Sequence, residues 1–152
     1  MKLSKAQREQ LKNKFGGHCA YCGCDLSDKW HADHIEAVDR ILAWCSKRGV
    51  KSTREMHKPH LDTIENLNPS CVPCNINKHS MSLESWRGVL TGYRNALIRD
   101  SHTFRHSLRF GLVEFTDKPV VFFFEKWDDE VSTRHRRNRD LGDWDECSSG
   151  KV

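Results

Sequence analysis

No stretch of this chain is apolar for long enough to cross a membrane, and none has the make-up of a secretory leader. Met1 to Phe15 is basic and amphipathic, without an apolar centre. Both absences predict an intracellular, cytoplasmic chain with no membrane partner. Nor is cysteine present in the even number that a secreted disulfide framework prefers: there are seven, at positions 19, 22, 24, 45, 71, 74 and 147. Reduced thiols are the expectation. Apolar content is also low, at 37% of 152 residues against 30% charged, which predicts one modest core in need of a staple. Internal repeats are missing as well.

Four of the cysteines supply that staple. Cys19-Ala-Tyr-Cys22 and Cys71-Val-Pro-Cys74 are C-x-x-C pairs separated by 48 residues. Such pairs usually hold zinc tetrahedrally, with no open position for chemistry. Cys24, two residues after Cys22, competes as a ligand, but the x-x spacing and Gly23 favour Cys22. Cys24, Cys45 and Cys147 then stand outside the metal set.

Net charge is +4, unevenly spread: residues 127–152 hold five basic and seven acidic side chains, so residues 1–126 carry +6. A basic body suits a polyanion through phosphate neutralisation, although solvation of the surface explains so modest an excess about as well.

Residues 4–15 read as a helix capped by Ser4 and stopped by Gly16-Gly17, with Lys2, Lys5, Arg8, Lys12 and Lys14 on its outer side. Trp30 to Ile35 alternates like a short strand. On a regular strand Asp33 and His34 face opposite ways, so the strand must end or bend there for both to meet one phosphate. Residues 35–48 take helical spacing, with Val38, Ile41, Leu42 and Cys45 on one face, and a basic loop follows. Asp62-Thr63-Ile64-Glu65 has the form of a capping box opening a single turn. Leu83 to Leu97 reads as a helix capped by Ser82, and Phe104–Phe110 as a further turn or two. Pro119 to Glu125 is the strongest strand pattern in the chain, its three phenylalanines core rather than a stacking platform. The segment 127–152 reads as a flexible polar tail.

Asp33, His34 and Asn75 carry the chemistry. Phosphodiester hydrolysis needs an activated water, a cation on the phosphate and relief of charge on the leaving oxygen. A neutral histidine is the natural base near pH 7, while carboxylate and amide oxygens are hard ligands for Mg²⁺ or Mn²⁺. The blocks Cys19-x-x-Cys22, Asp33-His34-Ile35, Glu65-Asn66-Leu67, Cys71-x-x-Cys74-Asn75-x-x-Lys78 and Ser82–Arg87 stand in this order. They resemble the zinc-stapled branch of the HNH endonucleases over residues 15–90, and more weakly small standalone phage HNH proteins through Phe110–Val113 and Lys118–Phe122.

The resemblance implies an α+β fold. Its ββα-metal core is stapled by a four-cysteine zinc site of Cys19, Cys22, Cys71 and Cys74, with added helices and a C-terminal strand, in one nuclease domain over 1–126. It implies His34 as general base, Asp33 and Asn75 on a catalytic divalent cation, and Asn66 bracing the loop that faces the base. His79 is a further ligand or phosphate contact, and Lys78 a contact to DNA phosphate. The implied activity is hydrolysis of double-stranded DNA by a one-metal mechanism, in a phage or mobile-element context. Two alternatives remain: a zinc-stapled DNA-binding module without turnover, and a nuclease subunit of a larger packaging or defence complex. The long segment between His34 and Asn66 departs from the compact pattern and leaves the approach of DNA open.

Overall fold

The computed structural model describes residues 1–47 and 49–127, and these form an α+β fold of two small sheets and four α-helices. Among the described residues no helix is long and apolar enough to cross a membrane. The 127–152 tail and Cys147 lie outside the described residues, apart from Trp127.

Helix α1 (Lys5–Lys12) starts where the sequence predicts. Ser4 Oγ accepts from the Gln7 amide at 3.2 Å and Gln7 Oε1 accepts from the Ser4 amide at 3.0 Å, a reciprocal cap. A 3₁₀ turn over Asn13–Phe15 runs into Gly16 and Gly17, both at positive φ, and the helix stops. Its basic side is not wholly solvated. Arg8 donates to the Trp30 carbonyl at 3.0 Å and lies over that indole ring, while Lys14 bonds the Leu67 carbonyl and Asn68 Oδ1, both at 2.9 Å. Two of its cations therefore tie the helix to the sheet.

That sheet is an antiparallel pair, β1 (Trp30–His34) and β4 (Leu67–Cys71), in register from Trp30 opposite Cys71 to His34 opposite Leu67. Every residue of β4 is buried. Helix α2 (Val72–Lys78) leaves β4 directly, with Pro73 in its first turn where no amide is needed, and packs on both strands. Helix α3 (Leu83–Asp100), capped by Ser82, buries Trp86, and α4 (His102–Arg109) follows. Trp86 stacks on Phe122 with ring centroids 5.1 Å apart, and Tyr21 meets both edge-on.

Three expectations are corrected. Residues 35–48 do not form a helix. The chain runs instead into a two-stranded ribbon, β2 (Arg40–Cys45) and β3 (Gly49–Met56), with a register irregularity between Arg40 and Leu42. Asp39 at positive φ interrupts helical continuation, Gly49 at positive φ turns the ribbon, and β-formers such as Ile41, Trp44, Val50 and Thr53 suit its strands.

The C-terminal strand is absent from the described residues as well. Phe122 is only 2% exposed, yet 119–125 joins no sheet and ends in a 3₁₀ turn over Phe123–Glu125. The consecutive amides of Phe123 and Phe124 donate to Tyr21 and Ala20 at 2.9 and 2.8 Å. A ladder to one neighbour would use alternate residues. The apolar run is a plug: its rings spread over different parts of the core.

Thirdly, the single turn forms, with the Leu67 amide donating to the Ile64 carbonyl at 3.1 Å, but Asp62 does not cap it. Asp62 ends a 3₁₀ turn over Pro59–Leu61, and its carboxylate turns to His34.

Candidate functional site

The four thiols predicted to act together do come together. The sulfurs of Cys19, Cys22, Cys71 and Cys74 all lie within 4.8 Å of one another, and those of Cys22 and Cys71 are 3.8 Å apart. A tetrahedron of sulfurs about 2.3 Å from zinc has edges of about 3.8 Å, so this donor set fits a structural zinc. Cys24 Sγ is 3.4 Å from Cys22 Sγ but is not one of the four.

The knuckle is set by the backbone. Cys19 donates to the Cys24 carbonyl at 2.7 Å, and Gly23 donates back to Cys19 at 3.0 Å. Gly23 sits at φ +80, and a Cβ there would come within 2.6 Å of the Phe123 ring. Hydrogen bonds from Cys22, Cys71 and Cys74 hold the Cys19 thiol far below its ordinary range. Cys71 and Cys74 are pushed well up, foremost through their bonds to Cys19. The four thiols perturb one another, and a cation held among them would favour the thiolate form of each.

On the neighbouring surface a cleft of about 560 Å³ is lined by Asp33, His34, Arg40, Asn75 and His79, among others. Strand β1 ends at His34, and the adjacent Asp33 and His34 both line this cleft. Asn75 is held on α2 one residue past Cys74, and His79 caps that helix at positive φ with Nδ1 3.0 Å from Ser80 Oγ.

Asp33 is buried. Its Oδ2 accepts from the Tyr21 hydroxyl and lies 3.0 Å from Lys78 Nζ. Burial pushes the Tyr21 phenol upward, and the Asp33 charge adds to the shift, so Tyr21 remains a donor. Lys78 also donates to the His34 carbonyl at 2.6 Å and is fully buried. The predicted contact of Lys78 with DNA phosphate is therefore corrected: an ammonium buried against a carboxylate has no face to offer a phosphate.

His34 Nε2 lies 2.9 Å from Asp62 Oδ1. The Asp62 carboxyl is held below the usual carboxylate range, first by the Met1 ammonium and then by His34, against the opposing effect of burial. Facing an ionised carboxylate, Nε2 is the ring nitrogen that donates to Asp62, and Nδ1 is the one not engaged by it.

Asn66 stands behind this pair. Its Oδ1 accepts from the Glu36 amide at 3.0 Å, and its Nδ2 donates to the Glu36 and Leu61 carbonyls at 2.9 and 2.8 Å. Its own carbonyl accepts from Ile35 at 2.9 Å. One amide thus ties the turn after His34 to the residue before Asp62.

Sequence reasoning missed Asp62 and Tyr21 as partners of the pair. Asp62 sits 28 residues from His34 with no spacing signal, and its local pattern matches a helix cap. Tyr21 lies between two cysteines, where the ligand spacing draws the eye.

No protein-family model matches this chain, and no solved structure matches it. Over 89 residues it is 28% identical to a protein of Bacillus subtilis (strain 168) named "SPbeta prophage-derived putative HNH endonuclease YoqL". The match covers 55% of this chain and 33% of that relative, so the chain spans well under two thirds of the relative's length.

Proposed function

We propose that this chain is an HNH-type endonuclease that hydrolyses phosphodiester bonds in duplex DNA, with β1, β4 and α2 as its ββα-metal core. The observation that carries the reading is one cleft lined by Asp33, His34 and Asn75 beside a four-cysteine cluster. The similarity to a prophage HNH protein supports the same class.

In this reading zinc on Cys19, Cys22, Cys71 and Cys74 is structural, fixing β4 and the start of α2. Asp33 and Asn75 offer hard oxygen donors that fit Mg²⁺ or Mn²⁺, with His79 beside them. A cation there supplies positive charge to the scissile phosphate and the departing oxygen. His34 Nδ1 takes the proton from the attacking water. Asp62 keeps the ring in the tautomer that leaves Nδ1 free, as the third group of a catalytic triad orients its base. Lys78 and Tyr21 fix one oxygen of Asp33 and leave the other for the cation. Asn66 positions the His34 turn.

Incubating supercoiled plasmid with the zinc-loaded protein, with and without Mn²⁺, tests the proposal. Nicked or linear product that depends on the cation, and is lost in Asp33→Ala, is expected. An intact plasmid under all conditions, with duplex binding retained, assigns a binding module without turnover.

A further inference from the structure

The β2–β3 ribbon is the part of the fold the catalytic reading leaves unused. Trp44 pairs with Val50 and Leu42 with Ser52, so Leu42, Trp44 and Val50 share one face of the ribbon. That face is bare, with Trp44 77%, Leu42 66% and Val50 63% exposed. A two-stranded ribbon is marginal alone in water, and single exposed apolar residues are ordinary, but three contiguous ones on such a ribbon mark a contact surface.

Charge identifies what the surface meets. Residues 40–56 contain Arg40, Lys47, Arg48, Lys51 and Arg54 against Glu55 alone. Arg54 stands exposed on β3 where the register is irregular, and Lys47 stands exposed at the turn. The ribbon also continues the cleft: Val38, Asp39 and Arg40 line the cleft wall, and β2 begins at Arg40. Six residues of strand reach about 20 Å at ~3.4 Å each, about six base pairs of duplex.

We propose that the ribbon is a duplex-DNA arm that sets Leu42, Trp44 and Val50 against a groove, while Arg54 near the root of the ribbon and Lys47 at its turn, about six base pairs from the bond in the cleft, hold the flanking phosphates. The proposal rests on the nuclease reading for its substrate. Apolar side chains pressed against a groove partly unstack base steps, and cations on either side supply the salt-dependent part of affinity.

The test compares full-length, zinc-loaded wild type with Trp44→Ala and with the double variant Lys47→Glu/Arg54→Glu. Binding of a labelled 30-base-pair duplex is followed by anisotropy in Ca²⁺ across a salt series, and hydrolysis of that duplex and of bis(p-nitrophenyl) phosphate is followed in Mn²⁺. Each variant is expected to weaken duplex binding about tenfold or more, to lower duplex cleavage in step, and to leave hydrolysis of the small phosphodiester unchanged. The double variant also loses about two from the salt slope, one for each phosphate contact. Duplex affinity unchanged in both variants, while wild type cleaves, overturns the arm and leaves the nuclease reading standing. Hydrolysis of neither substrate by wild type, with duplex binding still lost in the variants, overturns the nuclease reading and leaves the arm. A wild-type dimer that Trp44→Ala turns into a monomer of unchanged duplex affinity assigns the face to a second copy and overturns the arm.

Discussion

Lys78 Nζ lies 3.0 Å from Asp33 Oδ2, and the same ammonium donates to the carbonyl of His34 at 2.6 Å. A single buried cation thus holds the side chain of one proposed catalytic residue and the backbone of the next. Removing one partner of a buried ion pair leaves the other charge uncompensated, at about 3–5 kcal/mol. Lys78→Met should lower stability by that order in urea denaturation. Asp33→Asn added to Lys78→Met should recover part of the loss, because no lone charge then stays buried. Equal losses in the single and double variants would remove the pair from the account.

In the proposed mechanism Asp62 acts through His34, whose Nε2 lies 2.9 Å from its Oδ1. Asp62→Asn should reduce plasmid nicking at least about tenfold, about 1.4 kcal/mol in the barrier, and should shift the pH–rate profile. Zinc content and KM for duplex should stay at wild-type values. A purely structural role would instead leave the pH profile in place.

The sulfur cluster should hold one zinc per chain. Stripping it with a strong chelator should unfold the β1–β4 and α2 region, since structural zinc contributes about 10–16 kcal/mol of apparent binding energy to small domains. Cys71→Ser should express poorly and carry little zinc, whereas Cys45→Ser should carry a full equivalent. Retained secondary structure by circular dichroism after chelation would contradict the staple.

Acid should loosen the C-terminal plug. The Arg87 guanidinium holds the Glu125 carboxyl below the usual carboxylate range, and the Phe122 amide adds to the effect. A depressed folded-state value means that the stabilisation is complete above the ordinary range, near pH 4, and is lost as pH falls through the folded value. The urea midpoint should therefore hold down to about pH 5 and drop below about pH 4. Glu125→Gln should lower the midpoint at neutral pH and flatten that acid limb. An identical acid limb in the variant would assign the loss to other carboxylates.

The parts of the fold legible in the sequence are those where local chemistry dictates structure. Ser4 and Ser82 cap helices as read, Gly16 and Gly17 end α1, and the cysteine spacing forecasts the sulfur cluster. Misreadings fall where tertiary context decides. The spacing of Val38, Ile41, Leu42 and Cys45 fits a helix as well as it fits a ribbon, and nothing local separates the two except Asp39 and Gly49 at positive φ. Phe122, Phe123 and Phe124 have strand composition, but the core has a hole to fill rather than a neighbour to pair with. Motif position placed Lys78 near Asn75 on the helix end, while its burial against Asp33 depends on how α2 lies across β1.

The central claim is tested most directly by His34→Ala, zinc-loaded and compared with wild type for nicking of supercoiled plasmid in Mn²⁺. Loss of the base predicts a rate lower by about 10²–10⁴-fold, with zinc content and melting temperature unchanged. Cleavage by that variant at the wild-type rate would contradict the account.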